Sequence, residues 1–230
     1  MANYLIVGAS SGIGFQLAIQ LSEQGHTVYG TYCDHAATHV NIRFQQLDVL
    51  KDDIVLELPD KLDGVVYCPG SIQLKPFNRI SPSDFSKDHA LNVVGAVKVL
   101  QKALPALKNS EQASVVLIST VAVQTGLAFH SLVSSSKGAL EGLTRALAAE
   151  WAPRIRVNCI APSLTNTPLA EALLNTPEKT EAGAARHPLK RIGKPEDIAN
   201  CCEFLLSPAS GWITGQVMAV DGGMSALRTS

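Results

Sequence analysis

Seven short runs rich in Val, Ile, Leu and Tyr constrain the fold of this chain more than any other feature. They are residues 4–8 (YLIVG), 26–32 (HTVYGTY), 42–48 (IRFQQLD), 64–68 (GVVYC), 114–120 (SVVLIST), 155–162 (IRVNCIAP) and 216–220 (QVMAV). They show little apolar–polar alternation, as strands do when helices cover both faces of their sheet. Between them lie helical stretches: one striped by Ile13, Leu17 and Leu21 and closed by Gly25, others near 83–107, 134–151 and 195–206. Strands alternating with helices predict one α/β domain over 1–230, a doubly wound parallel sheet with helices on both faces. The least regular stretch is 163–194, with Pro168, Pro177 and Pro188. A long irregular segment in a compact domain reads either as a lid over a site or as a floppy surface loop.

The bulk numbers narrow the classes of partner. A formal net charge of -1 gives no support for nucleic acid or an anionic membrane as partner. The five cysteines (33, 68, 159, 201 and 202) include no CxxC pair, and their odd count argues against a disulfide framework. Cys201 and Cys202 read as small apolar residues of a buried helix rather than a redox pair. No metal cluster is expected. The chain enters its first strand without a secretory pattern, and no apolar run reads as long enough to cross a membrane, so a cytoplasmic location is expected.

After the first run comes GASSGIG, which sets Gly8, Gly12 and Gly14 on a strand-to-helix turn, with Ser10, Ser11 and Ile13 among them. Glycine permits a tight turn and lets the backbone approach a ligand without a Cβ in the way. The free N–H groups of the following helix can then hold a pyrophosphate. Asp48, ending the third run, falls on the carboxyl edge of such a sheet, where it can accept from an adenine amino group. Its plainer role is a cap or turn.

These residues join Asn92 in LNVVGA, the lysine of SSSKGALEGLTRALAAE, RVNCIAPSLTNT, PLKRIGKPEDIA and ITGQVMAVDGG. In that order and spacing the chain resembles the short-chain dehydrogenase/reductase family, from about residue 4 to 224. The resemblance implies a single Rossmann-type domain, NAD or NADP as cofactor, and hydride transfer between nicotinamide and a carbonyl or alcohol of a small-molecule substrate. It also implies a homo-oligomer, dimer or tetramer, paired through the helices at 83–107 and 134–151. By the same resemblance Gly8, Ser10, Ser11, Gly12, Ile13 and Gly14 surround the pyrophosphate and adenosine. Asp48 and Val49 meet the adenine, and Gly70, Asn92, Lys137 and Thr167 complete the cofactor site.

Two departures stand out: YCPG at 67–70, where the family usually has NNAG, and Ser163 in place of a usual glycine. An acid ending the second strand bonds the ribose 2′-hydroxyl, whereas a basic residue accommodates a 2′-phosphate. The family's acidic position falls on Tyr32, followed by Cys33, and no Lys or Arg lies between residues 15 and 42. The lean is therefore toward NAD.

The family's chemistry uses Asn, Ser, Tyr and Lys, and here Asn92 and Lys137 are retained. Counted back from Lys137, the tyrosine position holds Val133 and the serine position Thr120. Lys137 looks out of place by helix rules, since a helix over 134–151 sets it near the partially positive N-terminus. A site that uses its charge accounts for it. Valine has no proton to give, and losing a positioned general acid costs about 10²- to 10⁴-fold in rate. Three readings follow. One is an oxidoreductase with a relocated acid, for which His130 is favoured over Tyr67 or a water held by Lys137 and Thr120. The second is a non-catalytic dinucleotide-binding protein, a sensor or partner subunit; the third, a non-redox enzyme on the same fold. Phe129, Leu132 and Val133, with Leu164, Leu169, Leu173 and Leu174, read as the wall of an apolar substrate chamber or as core.

Overall fold

The computed structural model describes residues 1–228. In chain order the elements are β1 (Asn3–Val7), α1 (Gly12–Glu23), β2 (Thr27–Tyr32), β3 (Ile42–Gln46), β4 (Gly64–Tyr67), α2 (Pro82–His89), α3 (Gly95–Lys108), β5 (Ala113–Ile118), α4 (Ala122–Thr125), α5 (Ser131–Trp151), β6 (Ile155–Pro162), α6 (Glu171–Leu174), α7 (Pro177–Ala185), α8 (Pro195–Leu206) and β7 (Val217–Val220). The strands form one sheet in the order β3-β2-β1-β4-β5-β6-β7, every pairing parallel. The chain winds outward from β1 to β3 and returns to the other flank of β1, so the order reverses between β1 and β4. Ligands of open parallel sheets bind at that reversal, outside the carboxyl ends of the strands.

Successive strand residues point to opposite faces, and here both faces are core. Leu5, Val65, Val115 and Leu117 pack with residues of α3 and α5, while Ile6, Val66, Val116 and Ile160 pack with residues of α1 and α8. That is why the runs carry no polar alternation. Cys202 lies in the second of these cores, and all five cysteines are free.

Two sequence expectations need correction. Helices α2 and α3 join through a wide turn at Ala90–Val94 into one helix over 82–108, long and apolar enough by length and composition to cross a membrane. Its stripe of Ala96, Val99, Leu100, Ala103 and Leu107 is buried in the core, so packing against the sheet accounts for its hydropathy. The stretch 163–194 is only partly irregular, with residues 186–194 outside any helix. It folds into α6 and α7, with Pro177 in the first turn of α7 and the Thr176 hydroxyl accepting from Lys179 N. Proline is tolerated there because that N–H would lack a partner anyway. The ends of the segment are pinned together: Asn166 N donates to Gly193 O (2.8 Å) and Gly193 N to Leu164 O (3.1 Å).

Helix α5 carries a glycine that the fold does not need. A Cβ on Gly142 would meet nothing within 4 Å, and alanine exceeds glycine in helix propensity by about 1 kcal/mol. Gly142→Ala is expected to stabilise the protein by roughly 0.5–1 kcal/mol. A lower urea midpoint than wild type would contradict this.

Candidate active site

The first turn is a cradle that side chains would fill. Gly8 and Gly12 adopt left-handed φ values of 77° and 56°, and a Cβ on Gly14 would stand 2.3 Å from Gly8 O. Ala9 N donates to Thr31 O (2.7 Å), and Gly8 N to Thr31 Oγ1 (3.1 Å), fixing the turn against β2. A Cβ on Gly12 would lie 3.3 Å from the Thr167 methyl, so Thr167 and the glycine turn meet although far apart in sequence. The turn thus leaves bare backbone at the reversal point, with Ser10 half-buried and Ser11 exposed beside it. Asp48 takes its plainer role as well: its Oδ1 accepts from Leu50 N (2.9 Å). The Val49 side chain is in the core, which leaves only its backbone for an adenine.

At the end of β2, Tyr32 is half-buried and Cys33 exposed. Burial, together with Asp34 and Asp48, pushes the Cys33 thiol up against the opposing charge of Lys51. Two acids and one cation therefore gather there. Arg43, the nearest arginine in sequence, is held over the Tyr29 ring and donates to its hydroxyl (3.1 Å).

Helix α5 begins at Ser131, three residues earlier than the sequence suggests, and Ser134 N donates to His130 O (2.8 Å). Lys137 therefore sits in the second turn, clear of the free N–H groups, which corrects the placement at a helix start. It is only 6% exposed, and its Nζ donates to Ile118 O (2.8 Å). Burial pushes its ammonium down to about 8, with Asp88 among the groups resisting the fall. Asn92 lies in the wide turn between α2 and α3, fully buried, its Nδ2 donating to Asp88 O (2.9 Å). A Cβ on Gly70 would lie 3.1 Å from Lys137 Nζ and 3.3 Å from Asn92 Oδ1, so the three residues converge at the end of β4. Asn92 Oδ1 and Asp88 Oδ2 are buried without a partner. Buried polar atoms are almost always satisfied, so a water or a ligand hydroxyl belongs at this point. The bare glycine turn and these orphaned atoms fit a dinucleotide.

A cavity of about 460 Å³ opens from this point. Ile13, Gly70, Thr120, His130, Val133 and Lys137 all line it. Val133 lies one turn before Lys137 on the same helix face. Thr120 is half-buried, its Oγ1 accepting from Ala122 N (3.3 Å). The His130 Nδ1 lies 2.7 Å from Ala128 O. Tyr67 is excluded as a proton donor: it is 1% exposed, its hydroxyl donates to Leu91 O (2.6 Å), and burial pushes its pKa well up. The apolar wall includes Val133, Leu164, Leu169 and Leu173. Phe129 instead turns outward at φ 67°, and Leu132 belongs to the core. Leu174 is not on the wall either.

Several polar residues at this site escaped the sequence reading. Ser71 lines the cavity and its hydroxyl donates to Asp88, which is buried. Ser119 donates to the buried Glu141 (2.8 Å). The spacing of Asp88 and Asn92, one helical turn apart, was a signal available in the sequence. His187, on the segment after α7, left none.

A parallel sheet whose order reverses at a glycine turn, with a buried lysine and asparagine beside a deep cavity, defines a dinucleotide-binding α/β protein of the Rossmann class. Comparison with known proteins narrows the class. The family described as "Enoyl-(Acyl carrier protein) reductase" matches residues 8–225. A tropinone reductase homologue of Arabidopsis thaliana is 39% identical over 87% of this chain and 74% of its own. The ligand-free aldohexose dehydrogenase of Thermoplasma acidophilum superposes with a TM-score of 0.89 at 26% identity, covering 100% of this chain and 97% of that one. ElxO with NADP bound gives 0.86 at 26% identity, covering 99% and 100%. The chain belongs to the short-chain dehydrogenase/reductase family, and it is an oxidoreductase of that family.

Proposed function

We propose that the protein binds a nicotinamide dinucleotide across the β1–β4 reversal and acts on a carbonyl or alcohol of a largely apolar substrate. The carrying observation is the convergence of Lys137 Nζ, the orphaned Asn92 Oδ1 and Gly70 at the inner end of an otherwise mostly apolar cavity. Gly8, Ser10, Ser11, Gly12, Ile13 and Gly14 would hold the pyrophosphate side, Tyr32, Asp48 and Val49 the adenosine side, and Gly70, Asn92, Lys137 and Thr167 the nicotinamide side. When bound, the dinucleotide supplies or takes the hydride. Lys137 orients the ribose and lends its charge, Thr120 donates to the substrate oxygen, and Asn92 holds a water linked to Lys137. His130 offers one proton donor in the cavity. The helices over 82–108 and 131–151 would pair two copies of the chain, and the segment 163–194 would serve as a lid.

A second reading, a dinucleotide-binding protein without chemistry, draws on Val133, which lines the cavity where the family pattern sets its tyrosine. The pocket itself is tested first, by titrating the purified protein with NADH and NADPH and following reduced-nicotinamide fluorescence. The two acids near Cys33 favour a free 2′-hydroxyl, so NADH is expected to bind roughly tenfold tighter, about 1.4 kcal/mol. Tighter NADPH binding would show that Lys51 outweighs the acids. No binding of either would sink both readings.

A further inference from the structure

One polar pair in the cavity is not used by the function above. Ser163 follows Pro162 at the carboxyl end of β6, and His187 follows α7 on the covering segment. His187 is 3% exposed, and both ring nitrogens are engaged. Its Nδ1 lies 2.8 Å from Gly183 O and its Nε2 2.8 Å from Ser163 Oγ. A carbonyl oxygen only accepts, so Nδ1 carries the hydrogen. In the neutral ring Nε2 is then an acceptor, and the Ser163 hydroxyl donates to it. A hydroxyl oriented on a base in this way is set up for proton exchange. The other neighbour of Ser163 Oγ, Met224 Sδ at 3.0 Å, is only a weak acceptor.

The pair stands next to Thr120. Val121 N donates to Pro162 O (3.1 Å) and Ser119 N to Ile160 O (2.7 Å). Thr120 and Ser163 therefore lie one residue to either side of the same inter-strand hydrogen bond, on strand ends roughly 5 Å apart. Both line the same cavity, as does His187. Other proton carriers on the wall are less suited. Burial pushes the Cys68 thiol up to about 12, and Lys137 Nζ, which donates to Ile118 O, has its two remaining N–H groups assigned above to the ribose and the water on Asn92. Around His187 stand Asp221 after β7, the mutually paired Arg191 and Asp197, and Arg186 and Lys179 on the covering segment.

We propose that Ser163 and His187 form the proton relay of this site, Ser163 exchanging the proton with the substrate oxygen and His187 Nε2 exchanging it with Ser163. The proposal rests on the redox reading above. In carbonyl reduction the carbonyl carbon gains a hydride and the C=O π pair moves to oxygen. That oxygen takes the Ser163 Oγ proton, and Oγ takes one from His187 Nε2. The imidazolium returns to its neutral form, Nδ1–H still on Gly183 O, and its Nε2 regains a proton from solvent through Ser163 Oγ once the product has left the cavity. In alcohol oxidation the same protons run backwards into the neutral ring. The glycine usual at position 163 cannot do this; serine can.

The test uses benzil, an apolar aromatic diketone, with whichever reduced nicotinamide binds more tightly. Ser163→Ala and His187→Gln are each expected to lower kcat/KM by about 10²- to 10⁴-fold, with nicotinamide affinity held within about twofold of wild type. His187→Gln should also erase a limb of the kcat/KM–pH profile. Adding Val133→Tyr to His187→Gln should restore activity at least about tenfold, since a phenol beside Lys137 offers another proton route; a folding defect would not be rescued in this way. In the cofactor-free protein, nitrogen NMR should show the Nδ1–H tautomer of His187, with an Nε2 resonance that moves in Ser163→Ala. An Nε2–H tautomer, an unmoved resonance, or active variants with the wild-type pH profile would each overturn the relay alone. So would loss of the limb in His130→Ala while His187→Gln keeps it. Wild-type protein that binds the cofactor but never reduces benzil would overturn the redox reading and the relay with it.

Discussion

Lys137→Met is expected to lower hydride transfer by on the order of 10²-fold or more, the usual effect of removing one preorganised charge from a site that excludes water. Lys137 is 6% exposed and joins Gly70 and Asn92 at the inner end of the cavity, whereas the other cations on its wall, Lys179 and Arg186, belong to the segment 163–194. Methionine keeps much of the length of the stem, so packing along α5 should survive while the ammonium is lost. Single-turnover rates with the dinucleotide saturating would separate this loss from weaker binding. A variant turning over at the wild-type rate would remove Lys137 from the mechanism.

The same substitution has a signature in stability. The folded ammonium titrates at about 8 rather than 10.5 because burial disfavours its charge. Below 8 the lysine is charged in both states and the burial cost is fully present. Between about 8 and 10.5 the unfolded chain binds the extra proton, so stability rises with pH across that window. The amplitude is of the order of a few kcal/mol. The buried Cys68 and Cys159 thiols, both pushed up to about 12, act in the opposite sense above their ordinary value of 9. They are present in both proteins and largely cancel in the difference. Unfolding free energy of wild type minus Lys137→Met should therefore climb through this window; a flat difference would mean that Lys137 is solvated.

Gly14→Ala should damage both the fold and the pocket. The new Cβ would stand 2.3 Å from Gly8 O and 3.0 Å from Gly8 C, backbone atoms that no rotamer change can move. Overpacking costs about 1–3 kcal/mol and sometimes more, against roughly 1 kcal/mol that alanine gains in a helix. The clash wins. The start of α1 must move away from β1, displacing the free N–H groups that would face a pyrophosphate. The expected result is a lower urea midpoint with an unchanged slope and dinucleotide affinity down roughly tenfold or more. Gly142→Ala, where the added methyl meets nothing, is the control for helix propensity.

The fold was legible because local physics wrote it. Strands buried on both faces must be apolar throughout, and GASSGIG after the first of them left little choice for the turn. Less was legible at the ends of elements. Ser131, Leu132 and Val133 have no strong capping signal, so the true start of α5 was set by packing, with Leu132 and Val133 buried. Pro177, which opens α7, resembles loop punctuation until the helix behind it is seen, whereas the helix that Pro195 opens was legible at 195–206. Tyr67 read as a candidate acid because its strand ends near the site, yet its hydroxyl is spent on Leu91 O inside the core.

The sequence alone determined the parallel sheet and the glycine turn, because period and spacing are properties of the chain; Asn92, Thr120, Val133 and Lys137 came together as one set only through the family resemblance. Only the tertiary structure decided which polar atoms meet. Gly70 brings Lys137 to Asn92, Ser71 reaches Asp88, and Ser163 reaches His187 across a segment whose ends are pinned by Leu164 and Gly193. Each of these contacts joins residues from different elements. Such meetings depend on how whole helices and strands pack, which no local pattern encodes.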